Sequence, residues 1–169
     1  MEDWTAMQVM KAAHQVGLRK LGEFERAVAR LKEGETAEPV ATFEEMLAFF
    51  SEDLKMHFRH EEQGLFPVLG KVIGRAGPVG AMLEEHDSLW RAIDTFSELV
   101  PELKGADAAQ LAGLVPQVER VAQHIIWILT GHIQKEDTML FPLAEKTLDA
   151  AGRREVDENL AVLDVMYRS

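Results

Sequence analysis

The feature that most constrains this chain is a pair of stretches in which polar residues occupy positions that a buried helix face should fill with apolar ones. His57-Phe58-Arg59-His60-Glu61-Glu62-Gln63-Gly64-Leu65-Phe66-Pro67 is repeated by His132-Ile133-Gln134-Lys135-Glu136-Asp137-Thr138-Met139-Leu140-Phe141-Pro142. Each has a His, a carboxylate four residues on, a second acid beside it, and Leu-Phe-Pro at the same offset. On a helix, residues i and i+4 project from one face about a turn apart, so each stretch sets an imidazole beside a carboxylate. That is half of a metal site.

Around these stretches the apolar residues recur at three- and four-residue spacing, the period of a helix with one buried stripe. The first helix is expected from about Asp3 to Glu33, along Met7, Met10, His14, Leu18, Leu21, Phe24, Val28 and Leu31. Gly34 through Pro39 reads as a loop. Thr42 with Glu45 has capping-box spacing, and a second helix follows along Phe43, Met46, Leu47, Phe50, Leu54, His57, Glu61 and Leu65 to Pro67, which should kink or end it. Gly74, Gly77 and Pro78 make a turn. A third helix runs along Val79, Met82, His86, Leu89, Ile93, Phe96 and Val100 and should stop near Pro101. The fourth is expected from about Asp107 to Lys146, with Pro116 in its first part, and a short fifth from roughly Ala150 to Met166. No strand-like alternation occurs, so the expected fold is all-α: an up-down-up-down four-helix bundle with a short C-terminal fifth helix, in one domain over residues 1–169.

The chain also repeats more coarsely. His14, Arg19, Leu21 and Phe24 match His86, Arg91, Ile93 and Phe96 at an offset of 72, and the two His-x-x-x-Glu stretches match at 75. Each half thus supplies a lone His and then a His-x-x-x-Glu, and antiparallel packing would bring His14, His57, Glu61, His86, His132 and Glu136 to one level of the core. Any one of those histidines alone is an ordinary core or boundary residue. The carboxylates decide otherwise: an unpaired buried carboxylate costs several kcal/mol or is driven neutral, and a cation removes that cost.

With no cysteine, disulfides, thiolate sites and iron–sulfur clusters are excluded, and a metal must be held by His, Asp or Glu. Nitrogen and oxygen donors suit iron, manganese or zinc, and facing Glu and His residues in a bundle are the usual housing of carboxylate-bridged metal pairs. Two octahedral ions have twelve positions. Two bridging carboxylates, four histidines and a bridging oxo or hydroxo leave about two for water, a fifth ligand or an exogenous molecule. The formal charge of −11 opposes nucleic acid and anionic membranes as partners. An acidic N-terminus and the absence of an apolar run near the roughly 18 residues of a span point to a soluble cytoplasmic protein.

In motif order the chain resembles the hemerythrin-like (HHE cation-binding) domain proteins over nearly its full length. The resemblance implies a non-haem, carboxylate-bridged pair of iron ions: Glu61 and Glu136 as bridges, His14 and His57 on one iron, His86 and His132 on the other. In oxygen-carrying members the second bridge lies five residues after its His, a spacing Asp137 meets; Glu136 is preferred because it repeats Glu61. Those members have a fifth His where this chain has Met82, which reads as core packing. One iron is then more open unless His60 completes it, although a flanking role for His60 is the better reading. Glu62 is expected to be a solvated or outer acid, His124 has no role, and the Leu-Phe-Pro segments are read as apolar plugs. The function implied is binding or sensing of O2, NO or a related small oxidant at an open iron position. The alternatives are a diiron oxidoreductase acting on peroxide, O2 or NO, or an iron storage or donor protein. A structural bundle holding zinc is the bland rival. No substrate pocket is legible in the chain.

Overall fold

The computed structural model describes residues 3–168, which form five helices joined by short connections, with no strand among them. Helix α1 is Thr5–Lys32. Helix α2 spans 37–73 as three α-helical pieces, Ala37–Phe49, Lys55–Arg59 and Phe66–Ile73, joined by wide π turns at Phe50–Leu54 and His60–Leu65. Helix α3 is Pro78–Lys104. Helix α4 spans 108–147, with a π turn at Glu136–Leu140 between Ala108–Lys135 and Phe141–Thr147. Helix α5 is Ala150–Arg168. Helices α1 and α3 each pack against both α2 and α4; with connections this short, successive helices run antiparallel, and the expected four-helix bundle with a fifth helix is what forms.

Pro67 does not end its helix, and the fourth helix continues through Pro142 as expected. A proline ring collides with the carbonyl four residues back and offers no N–H, and each of these two prolines follows a π turn that widens the helix just where that carbonyl lies. The same wide turns carry Glu61 and Glu136. Helix α3 likewise continues through Pro101 to Lys104. Pro39 lies in the first turn of α2 rather than in a loop, where its missing N–H costs nothing, so Thr42 is inside the helix and is not its cap. The capping box the structure does contain is at Asp107 and Gln110.

Two apolar clusters sandwich the polar layer. One holds Phe24, Phe43, Phe50 and Phe96, which meet with ring centroids 5.1–6.1 Å apart. The other holds Met7, Met10, Leu65, Phe66, Leu69, Met82, Phe141 and Leu160. Full burial of each such side chain contributes about 1.5–3 kcal/mol. Leu18, expected in the stripe of α1, is exposed, and Gly17 takes the buried position beside it.

Helix α5 closes the second cluster. A Cβ on Gly64 would lie 2.5 Å from Leu160 Cδ1, so α5 approaches α2 as closely as only glycine permits. Asn159 Nδ2 donates to the Gly64 carbonyl at 3.1 Å, and Asp157 Oδ1 accepts from the Ala6 amide at 2.8 Å, which gives α1 the cap its own sequence lacks.

Candidate metal centre

The bundle brings His14 of α1, His57 and Glu61 of α2, His86 of α3, and His132 and Glu136 of α4 to one layer, all of them buried. His14, His57, Glu61 and Glu136 each offer a ligand atom within 4.8 Å of the others, and so do Glu61, His86 and His132. The Nε2 atoms point inward: His14 to His57 is 3.1 Å and His86 to His132 is 3.2 Å. Glu136 Oε1 lies 3.0 Å from His14 Nε2 and 3.2 Å from His132 Nε2. Glu61 Oε1 lies 2.9 Å from His86 Nε2, and Glu61 Oε2 lies 3.1 Å from His57 Nε2. Each carboxylate therefore reaches across both pairs of histidines. Asp137 does not enter this inner layer.

Outside it, Nδ1 atoms donate to carboxylates. His14 Nδ1 meets Asp137 Oδ1 at 2.7 Å, His86 Nδ1 meets Glu62 Oε2 at 2.9 Å, and His132 Nδ1 meets Glu85 Oε1 at 3.3 Å. Glu85 also pairs with Lys135 at 2.7 Å. Such contacts fix ring orientation and raise the basicity of Nε2. The repeat explains two of the three: Asp137 follows Glu136 as Glu62 follows Glu61, and each acid serves the lone His of the other half. Phe141 stacks on His14 at 5.1 Å, while Phe58 and Phe66 stack on His86 at 3.6 and 6.0 Å. The Leu-Phe-Pro segments thus supply flat apolar walls against the imidazoles.

Without a cation, the buried carboxylates and three of the imidazoles shift one another's proton affinity. Burial pushes His57 down, but the Glu61 and Glu136 carboxylates outweigh it and hold the imidazole up at about 9. Burial is outweighed at His132 too, by Glu136 and Glu61, and its value is pushed up to about 11. His86 is raised, because Glu61 and Glu62 overcome the effect of burial. Burial would raise Glu61, yet His57 and the groups around it hold its carboxyl well below the usual range. Even so, Glu61 Oε2 and Glu136 Oε2 are buried without a well-aligned hydrogen bond. Acceptor-only oxygens left over in a core, beside four inward Nε2 atoms, are the donor set a divalent or trivalent cation completes.

Other residues fall outside the layer. His60 is buried but turned to α5, its Nε2 2.8 Å from Asp164 Oδ1, and burial holds its value below the ordinary one. Met82 packs in the second apolar cluster. His124 stacks on Trp127 on the outside of α4. Sequence reasoning missed Glu85, which lies one residue before His86, and it missed a cavity of about 310 Å³ that reaches His14, His57 and His132 from the face between α1 and α2.

The hemerythrin HHE cation-binding domain model matches residues 5–144. The chain belongs to that family. Among curated HHE-type relatives, the iron–sulfur cluster repair protein DnrN of Neisseria gonorrhoeae is 32% identical over 98 residues, 57% of this chain and 61% of that protein. The iron–sulfur cluster repair protein YtfE of Musicola paradisiaca is 33% identical over 106 residues, 58% of this chain and 44% of that one, and YtfE of Yersinia pestis is 29% identical over 100 residues. The chain spans about half the length of the curated relatives it matches. No solved structure matches it. Helix α5 lies beyond the stretch that defines the HHE domain, and no helix among the described residues is long and apolar enough to cross a membrane.

Proposed function

We propose that this HHE domain holds two non-haem iron ions, with Glu61 and Glu136 shared between them, His14 and His57 on one and His86 and His132 on the other, and that it binds a small oxidant such as O2, NO or peroxide. The observation that carries this reading is the pair of buried carboxylate oxygens left without aligned partners among four converging Nε2 atoms. Bound iron supplies redox chemistry and an open coordination position. The chain supplies the rest. Asp137, Glu62 and Glu85 orient three imidazoles, and Phe58, Phe66 and Phe141 keep bulk water from their faces. The cavity beside His14 and His57 gives a small molecule its way in. A soluble protein of the cytoplasm with no nucleic-acid partner fits its acidic charge.

A second reading, in which iron is held and handed on, is favoured by the relatives named for iron–sulfur cluster repair. Without cysteine the chain has no thiol chemistry to add, so the contribution would be metal alone. Elemental analysis is expected to find two irons per chain, with an optical spectrum that changes on adding NO or peroxide. A metal-free protein, or one zinc that iron cannot displace, would overturn the diiron reading. Rapid restoration of an apo iron–sulfur protein by the loaded chain, with no spectral response to NO, would select the second.

A further inference from the structure

The aromatic rings around the metal layer do not all follow the repeat. Phe66 on His86 and Phe141 on His14 are counterparts at the offset of 75, so one stacked phenyl ring belongs to each half. Phe58 and Trp90 have no such counterparts. At the same offset Phe58 corresponds to Ile133, and at the offset of 72 that relates His14 to His86, Trp90 corresponds to Leu18. The first half is aliphatic at both places.

These two additional rings touch each other and the metal layer. Phe58 is buried and lies flat on His86, with centroids 3.6 Å apart and planes 11° from parallel, and it meets His132 edge to face at 5.6 Å. Trp90, one turn beyond His86 on α3, meets Phe58 edge to face at 5.6 Å, a favourable aromatic geometry. Trp90 is half-buried and borders an open groove between α2 and α3, with Leu47, Ser51, Lys55 and Asp94. Rings in contact therefore run from both imidazoles of one inner pair to the surface. The other tryptophans stand apart: Trp4 packs near the Arg153 guanidinium, and Trp127 stacks on His124 outside α4. Indole gives up an electron far more readily than a phenyl ring or a neutral imidazole, and rings this close pass electrons between them.

We propose that Trp90 is an electron donor to the metal layer, acting through Phe58 and His86 when hydrogen peroxide arrives after the irons have given up their own electrons. The inference rests on the diiron reading above. The O–O bond of the peroxide breaks as it takes two electrons and two protons to become two waters. Trp90 supplies both electrons, one at a time, and its ring exchanges a C–H bond for a C–O bond to a water of the groove, releasing two protons. The net products are one water and a hydroxylated tryptophan. Oxidation is thereby drawn away from the imidazoles that hold the metal.

The test is peptide mass spectrometry of the iron-loaded full chain after excess hydrogen peroxide, without air, in water enriched in the heavy oxygen isotope, iron being measured on the same samples. One heavy oxygen is expected on Trp90, at least fivefold above Trp127, although Trp127 is 75% exposed. Phe58→Leu should cut that yield at least tenfold per bound iron, and Trp90→Phe should raise oxidation of His86 and His132 at least twofold. Equal marking of Trp90 and Trp127, oxygen drawn from the peroxide, equal marking of Trp90 in the zinc-loaded chain, or yields unchanged in the variants would overturn the proposal. Two bound irons with Trp90 unmarked would remove this role and leave the diiron reading; a chain that takes up no iron would remove both.

Discussion

The two halves of the metal layer are made from the same parts, yet their outer partners differ. Around His86 and His132, both Nδ1 atoms reach carboxylates, and Phe58 lies flat on His86. Around His14 and His57, Asp137 holds the first imidazole while the buried Nδ1 of the second has no outer partner; the cavity touches both of these rings and His132 of the other pair. The inner donors repeat residue for residue, although Glu61 meets His86 and His57 with different oxygens and Glu136 meets His14 and His132 with one; the outer ones do not repeat. A repeat of this kind separates what holding a cation requires from what one half has been given besides. What the halves share is the inner set plus crosswise contacts from Glu62 and Asp137. The addition is the room left by Ala13 and Gly17, which line the cavity.

The largest expected effect tests what the halves share. Glu61→Ala should lower metal at both positions, at least tenfold in bound iron per chain, because its two oxygens face His86 on one side and His57 on the other. Loss confined to one position would break the idea that the carboxylate serves both halves.

Next come the outer acids, whose loss typically costs ten- to a hundredfold in metal affinity. Glu85→Ala should make the second half resemble the first, with metal released to a chelator about tenfold faster and His132 free to turn. Asp137→Ala should do the same on the His14 side. If Glu85→Ala leaves the release rate unchanged, the missing carboxylate beside His57 has no bearing on how tightly that half holds metal.

A pH series sharpens the comparison further. His57 and His132 have raised values in the folded, metal-free protein, so their charged forms stabilise it fully below about 6.5, their ordinary value, and that contribution is lost as pH climbs through about 9 and then about 11. Metal needs the neutral imidazoles, so loading at neutral pH must release protons and become more favourable as pH rises. The gap in melting temperature between loaded and metal-free protein should widen from pH 6.5 to 9, as followed by circular dichroism. A gap that narrows over that range would argue against ligation by these histidines.

The smallest effect concerns the cover. Gly64→Ala places a methyl against Leu160 and should cost about 1–3 kcal/mol as overpacking, read from denaturant unfolding, while leaving the inner donors in place.

Much of this was legible in the chain because it rests on period and spacing. His14 and His86 stand out as imidazoles on apolar stripes, and Glu61 and Glu136 as acids a turn after a His; their meeting follows from the repeat and from short antiparallel connections. What escaped depends on distances between helices. Glu85 looked like any surface acid until α4 brought His132 Nδ1 to it. His60 is three residues after His57, near enough on paper to complete a metal, but only the docking of α5 shows that Asp164 claims it. The fourth helix was rightly expected to run past Pro142, but the π turns that let the chain continue through Pro67 and Pro142 leave no mark in the residue pattern. The cavity did leave a trace: aligning the halves puts Ala13 opposite Glu85 and Gly17 opposite Leu89.

The cap that Asp157 places on α1 bears on the order of assembly during synthesis. All six inner donors are made before α5, yet the amide of Ala6 gains its acceptor, and the Gly64 turn its cover, only when α5 arrives. Until α5 docks, the first turn of α1 lacks that acceptor and the second apolar cluster lacks Val156 and Leu160. A chain truncated before Ala150 loses the acceptor of the Ala6 amide and the cover over Gly64, so it is expected to release bound metal to a chelator faster than the full chain, which a release-rate comparison checks.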